Sequence, residues 1–168
     1  MQSHFDLFGL PPAFAVEADA LERSYREIQS RVHPDRFAHA GDAERRASLQ
    51  WTTRVNEAYR TLKDPVQRAK HLLELNGVDV AFETNTAMPA DFLAQQMALR
   101  ESLEDAKDAS ALDALRRNLV KDKQLLEKAI AEAIDAKRDY AGAAGLVRKL
   151  QFLDKLDSEI DAAYETIE

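Results

Sequence analysis

The chain has 168 residues, no cysteine and a formal charge of −7, with 45% apolar and 32% charged residues. That size allows one domain or two small ones, and the apolar share is enough to build cores. The totals exclude disulfides, thiolate metal sites, thiol catalysis and thiolate-ligated clusters. No apolar run reaches the ~20 residues needed to cross a bilayer.

The N-terminus lacks the basic start and apolar middle of a secretory signal, so the expected compartment is the cytoplasm. The histidines, His4, His33, His39 and His71, show no metal-ligand spacing, and neither a metal nor another cofactor is expected. Charge is unevenly spread. Residues 1–75 carry 11 Lys+Arg and 11 Asp+Glu, while the rest carry 12 and 19. Neither part has the dense basic face of a nucleic-acid binder.

In chain order, a short apolar turn at His4–Gly9 is broken by Leu10-Pro11-Pro12. A helix is predicted from Asp19 to Val32, with Leu21, Tyr25, Ile28 and Val32 at helical spacing. A loop, His33 to Gly41, leads to a third helix opened by Asp42, whose predicted inner stripe is Ala47, Trp51, Val55, Ala58 and Leu62. Pro65 ends that helix and starts a fourth, Val66 to Leu75, stopped by Asn76-Gly77.

Residues 77–89 lack a sustained period and read as a linker, partly packed through Val78, Val80 and Phe82 and carrying turn formers at Asn85 and Pro89. Three helices are predicted beyond it, about 90–107, 110–137 and 140–167. Their stripes are Phe92, Leu99, Leu103, Ala106; Leu112, Leu115, Leu119, Leu126, Ile130, Ala133; and Leu146, Leu150, Leu153, Ile160, Ala163, Ile167. Asp108-Ala109-Ser110 and Lys137-Arg138-Asp139 are the hairpin turns, and Gly142 and Gly145 allow close backbone approach. Short connections between amphipathic helices imply an antiparallel three-helix bundle. The expected fold is all-α, with one unit at 1–76 and another at 90–168.

The informative loop is His33-Pro34-Asp35. Proline disfavours helical geometry in the preceding residue and stiffens the turn. The histidine and aspartate are therefore held outward at low entropic cost, an arrangement suited to recognising a partner's arginine or backbone amides. The arrangement suits catalysis poorly: no serine, cysteine or second carboxylate is placed to pair with His33, and no phosphate-cradling loop exists.

With Phe5-Asp6-Leu7-Phe8-Gly9-Leu10, the helix before it, and Asn56-Glu57-Ala58-Tyr59-Arg60-Thr61-Leu62-Lys63-Asp64-Pro65 followed by Arg68, the loop resembles a J-domain over residues 3–75. The resemblance implies docking on an ATP-bound Hsp70-type chaperone and stimulation of its ATPase. The residues that match are His33, Pro34 and Asp35, with the basic face Arg23, Arg26, Arg31 and Arg36. Glu22 and Glu27 dilute that face, so long-range steering should be modest and salt-sensitive.

In the second unit, Leu93 and Met97 fall about 100° from the expected core stripe of their helix and are continued by Glu101, Glu104 and Asp105. An apolar patch running into carboxylates suits a protein partner; the alternative is that both apolar residues widen the core contact. Phe152 is likewise rotated off its stripe. These residues, the segments around Gln96-Met97 and Val147–Leu156, and the absence of Gly/Phe-rich and cysteine-repeat regions are similar to the HscB family.

That resemblance implies a co-chaperone of iron–sulfur cluster assembly. It would serve the chaperone HscA and hold the scaffold protein IscU through Leu93, Met97, Glu101, Asp105 and Phe152. Ala94 and Ala98 depart from the family pattern of a methionine and an acidic residue, which makes the patch smaller and less charged. The missing cysteines fit the bacterial form and a protein that presents a cluster carrier without ligating the cluster. A J-protein serving a general Hsp70 and a different client remains the alternative. An enzyme is not expected, since the acidic row has no histidine or metal partner to organise it.

Overall fold

A computed structural model describes residues 3–79 and 89–167. The described residues are all-α, and the chain divides into two compact units, Met1–Asn76 and Gly77–Glu168.

The first unit opens on α1 (His4–Leu7), fixed by a reciprocal capping box between Ser3 and Asp6. Gly9 takes a left-handed φ of 65°, which suits a residue without Cβ at this turn. α2 (Ala18–Val32) ends where the pre-proline residue His33 turns extended, at φ −56° and ψ 135°. A 3-10 turn, Pro34–Phe37, occupies part of the predicted loop. α3 (Asp42–Lys63) and α4 (Pro65–Leu75) follow, and the Asp64 carboxylate caps α4 by accepting from the Gln67 amide.

α2 and α3 run antiparallel: Tyr25 meets Asn56 and Tyr59, while Val32, further along α2, meets Ser48. Phe5, Phe14, Leu21, Val55, Leu62 and Leu72 are among the buried side chains of this core. Arg68 ties its far end, donating to the carbonyls of Phe14 and Leu62 at 2.7 Å each.

The stripe of α3 departs from expectation in its first half. Ala47 and Trp51 face solvent, and Ser48 and Thr52 point inward instead. The neighbour there is the last turn of α2, whose free carbonyls select hydroxyl donors over apolar groups.

The second unit comprises α5 (Ala90–Asp105), α6 (Ala109–Ala131) and α7 (Tyr140–Thr166). α6 and α7 are antiparallel, since Arg116 pairs with Asp157 and Lys123 with Asp154. α5 runs with α7: Phe92 meets Phe152, and Arg100 meets Glu159. This is the up-down-up order of an antiparallel three-helix bundle. Leu112, Leu115, Leu119, Leu153, Leu156 and Ile160 form a core cluster against which Leu99, Leu103 and Ala106 lean.

Two helix ends and one core position differ from the sequence reading. α5 stops at Asp105, and Ala106 turns extended, which gives the chain room to set Asp108 as the cap of α6. α6 ends in a π turn, Glu132–Ala136, closed by Lys137 N–H to Glu132 C=O at 3.0 Å. The wider turn lets the consecutive residues Ala133 and Ile134 both face the core. On α7 the inward position falls to Val147, leaving Leu146 half-buried.

Gly142 lies against Asp139, whose carboxylate caps its amide at 3.0 Å, whereas Gly145 has open space around it and makes no close approach. The expected linker 77–89 falls largely outside the described residues, and so does the packing expected of Val80 and Phe82. Val78 is half-buried.

Candidate functional site

The loop after α2 is held by a short chain of hydrogen bonds that follows from its sequence. Pro34 has no N–H to offer, so the carbonyls closing α2 need other donors. Ser48 Oγ donates to Val32 O at 2.6 Å, with Thr52 Oγ1 at 3.3 Å. Arg36 N–H donates to His33 O at 3.0 Å, and its guanidinium donates to Ser30 O at 3.2 Å.

His33 Nδ1 accepts the amide proton of Asp35 at 3.1 Å. Asp35 Oδ2 lies 3.6 Å from the same ring nitrogen. The result is a tethered corner from which the Asp35 side chain projects, 93% exposed, with both carboxylate oxygens open to a partner.

The arginines predicted beside this corner are all exposed, but they are not equivalent. Arg26 pairs with Glu22 at 2.7 Å and Arg31 with Glu27 at 2.5 Å, each acid one turn N-terminal to its base. That orientation is the favourable one on a helix, yet exposed pairs of this kind are worth only about 0.3–0.5 kcal/mol. A partner's carboxylates can displace Glu22 and Glu27 at little cost. Arg23 makes no ion pair among the described residues. Arg36 is committed to the loop itself.

On the second unit, Leu93 and Met97 are 45% and 73% exposed, which removes the core-widening alternative for both. Glu101 and Asp105 continue the same four-residue spacing and are also exposed. Ala94 and Ala98 stand beside them in solvent.

Phe152 differs from the other four. It is half-buried, meets the buried Phe92 edge-on at 5.7 Å, and packs against the bundle core. The Arg100 guanidinium lies 5.4 Å above its ring while pairing with Glu159 at 2.8 Å. Phe152 is thus a support at the border of the exposed row, with only part of its ring offered outward.

Sequence reasoning missed Arg100 in this role, although its position seven residues after Leu93 places it on the same side of α5. It also missed Ser48 and Thr52 as the hydroxyls that finish α2. Their signal is a pair of small polar residues at helical spacing in an otherwise apolar stripe. Among the described residues, no group of histidines and carboxylates is arranged to hold a metal ion, and no helix is long and apolar enough to cross a membrane.

A family model described as the HSCB C-terminal oligomerisation domain matches residues 88–161. A co-chaperone protein HscB homolog of Burkholderia vietnamiensis is 50% identical over 169 residues, covering 99% of this chain and 96% of that protein. Its counterpart in Azoarcus sp. is 46% identical with the same coverage. Among solved structures, chaperone HscB from Vibrio cholerae is similar at 33% identity and a TM-score of 0.88, covering 99% of this chain and 100% of that one. The human co-chaperone protein HscB is similar at 25% identity and a TM-score of 0.93, covering 96% and 82%. With half its residues identical along nearly its whole length to such a relative, and with the same two-part helical architecture, this chain belongs to the HscB family of co-chaperones.

Proposed function

We propose that this chain is a J-protein co-chaperone of iron–sulfur cluster assembly. In this reading the unit at 1–76 docks on an HscA-type Hsp70 chaperone and stimulates its ATP hydrolysis. The helical unit at 90–168 brings the IscU-type scaffold. Catalysis belongs to the chaperone, and the chain itself supplies recognition only, in the cytoplasm.

The observation that carries the reading is the Asp35 corner: a carboxylate almost wholly in solvent, on a turn tied down by donors to the carbonyls of Ser30, Val32 and His33. Little conformational freedom is left to lose on docking, which is how a rigid loop gains affinity. His33 Nδ1 is occupied by the Asp35 amide, so its Nε2 side and the carboxylate are the groups available to a partner. Arg23, Arg26 and Arg31 supply charge along α2, and Arg36 together with Pro34 fixes the geometry.

The scaffold surface is read from Leu93 and Met97 as apolar anchors with Glu101 and Asp105 beside them, and Phe152 holding the border. Exposed apolar groups next to carboxylates suit a partner with an apolar patch rimmed by basic residues.

Asp35→Asn preserves shape while removing the charge. It is expected to abolish stimulation of the chaperone's ATPase and to leave scaffold binding intact, as read by turnover and calorimetry; full stimulation by the variant contradicts the assigned loop. For the second unit, Leu93→Ala with Met97→Ala should weaken scaffold binding by about 2–4 kcal/mol if these are central anchors. Unchanged affinity removes that surface from the account and leaves a J-protein with a different client. Phe152→Ala is the less clean variant, because it also strips packing from Phe92 and Arg100.

A further inference from the structure

The face of α2 that turns toward α3 does not close completely. Tyr25, Asn56, Tyr59, Arg60 and Lys63 line a solvent-open groove of about 480 Å³ between the two helices. Its chemistry is lopsided. Tyr25 spends its hydroxyl proton on Asn56 Oδ1 at 2.7 Å, which turns the amide nitrogen of Asn56 and its two N–H donors away from that bond. Arg60 uses only Nε on the protein, donating to Asn56 O at 3.4 Å, so its terminal nitrogens remain available.

Lys63 rests its ammonium 5.6 Å above the Tyr59 ring. Neither cation is paired with a carboxylate among the described residues, and no acidic side chain lines the groove. Glu22, one turn before Tyr25, is occupied by Arg26. The walls are therefore two tyrosine rings with their hydroxyls and a larger set of N–H donors, two of them cationic.

We infer that this groove receives an acidic side chain of the chaperone partner, a carboxylate carried on polypeptide. It thus extends the docking surface from α2 onto the end of α3, and the inference rests on the J-protein reading above. Three features select that occupant. Donors in excess match an acceptor-only group, and a carboxylate takes a guanidinium in paired geometry. The two tyrosines offer flat apolar surface to the aliphatic stem and neighbouring chain of an Asp or Glu.

A free small anion fits worse, because it has no apolar stem for the tyrosine rings to cover, while any anion at the C-terminal turn of α3 meets the negative end of the helix dipole. An anion there must be held off the helix end by long side chains, which Arg60 and Lys63 provide. These two cations also have a compensating role available to them beyond the α2 arginines. Arg26 and Arg31 carry weak pairs with acids of their own helix, so the charge near the α2 surface without a carboxylate partner among the described residues comes from Arg23, from Arg36 and from this groove.

The competing role for Arg60 and Lys63 is stabilisation of the α3 dipole, and the test separates the two. The double variant Arg60→Gln, Lys63→Gln in the full chain is titrated into the ATP-loaded HscA-type chaperone. It is expected to raise the concentration for half-maximal ATPase stimulation about tenfold and to flatten its dependence on salt. Arg60→Lys keeps the charge and loses the paired geometry, so it should shift the half-point less than Arg60→Gln, and Lys63→Glu should shift it further than Lys63→Gln. Melting temperatures should be close to wild type throughout.

A half-point unchanged by the double variant and by Lys63→Glu overturns the inference, as does a shift that follows melting temperature alone. Asp35→Asn, run in parallel, tells the two failures apart. If it abolishes stimulation while the groove variants behave as wild type, only the groove is wrong; if it too stimulates fully, the J-protein reading itself has failed.

Discussion

At the residue scale, the loop that carries Asp35 depends on a side chain far from it in sequence. Ser48 is buried and gives its hydroxyl proton to Val32 O. Ser48→Ala leaves that carbonyl with the longer bond from Thr52, so the expected loss is about 1 kcal/mol, read from urea unfolding. Thr52 has one hydroxyl proton and its shorter bond is to Ser48 O at 2.8 Å, so Thr52→Val should add a smaller, separate loss.

Gly142 offers a second local test. A Cβ there would lie 2.2 Å from Asp139 Oδ2, the group that caps α7. Gly142→Ala therefore displaces the cap and is expected to cost about 1 kcal/mol, in spite of alanine's better helix propensity. A stabilised variant contradicts the capping role.

At the element scale, α1 is pinned to α4 by an interaction with a pH signature. The His4 amide donates to His71 Nε2 at 3.1 Å, and the two rings stack at 4.4 Å. Burial holds both imidazoles below the ordinary histidine value of 6.5. At His4, Glu57 and Glu74 oppose this while Arg54 adds to it; at His71, the proximity of His4 adds to it. Protonating His71 Nε2 also breaks the bond to α1.

Because the folded values lie below the unfolded one, the unfolded state binds more protons as pH drops past 6.5. The contribution of this contact is complete above that value and is lost as pH falls below it. Unfolding midpoints of the first unit should thus fall between neutrality and about pH 5.5, and His71→Gln should lessen the pH dependence. A midpoint that rises on acidification would contradict the contact.

Elements also show what the chain announces in advance. The helix stop at Pro34, the turns at Asp108-Ala109-Ser110 and Lys137-Arg138-Asp139, and the stripe of α6 are local signals, and local physics decides them. The failures have tertiary causes. Trp51 and Ala47 read as core because their spacing is right, yet the surface facing them is a helix end that needs hydroxyls. The π turn at Glu132–Ala136 leaves no periodic trace, since it is the departure from periodicity. Leu93 and Met97 could be placed off the core stripe by arithmetic, but only packing shows that they stay exposed beside the described helices of their unit.

At the scale of the whole molecule, the uneven charge of the sequence falls on two units with different work. The first is neutral overall and offers its partner a few arginines around one projecting carboxylate. The second carries the excess of acidic groups and offers an apolar row beside them. The HscB resemblance was legible from motifs spread over nearly the full length. The ties that finish α2, and the half-buried state of Phe152, came only with the fold.

The central claim is that one chain links a chaperone's ATP hydrolysis to the delivery of a scaffold protein. The most direct measurement is single-turnover ATP hydrolysis by the HscA-type chaperone with this chain alone, with the IscU-type scaffold alone, and with both. The account predicts stimulation by the chain alone and a rate with both that exceeds the product of the separate stimulations. Rates that merely multiply, or a chain that gives no stimulation in either setting, would contradict it.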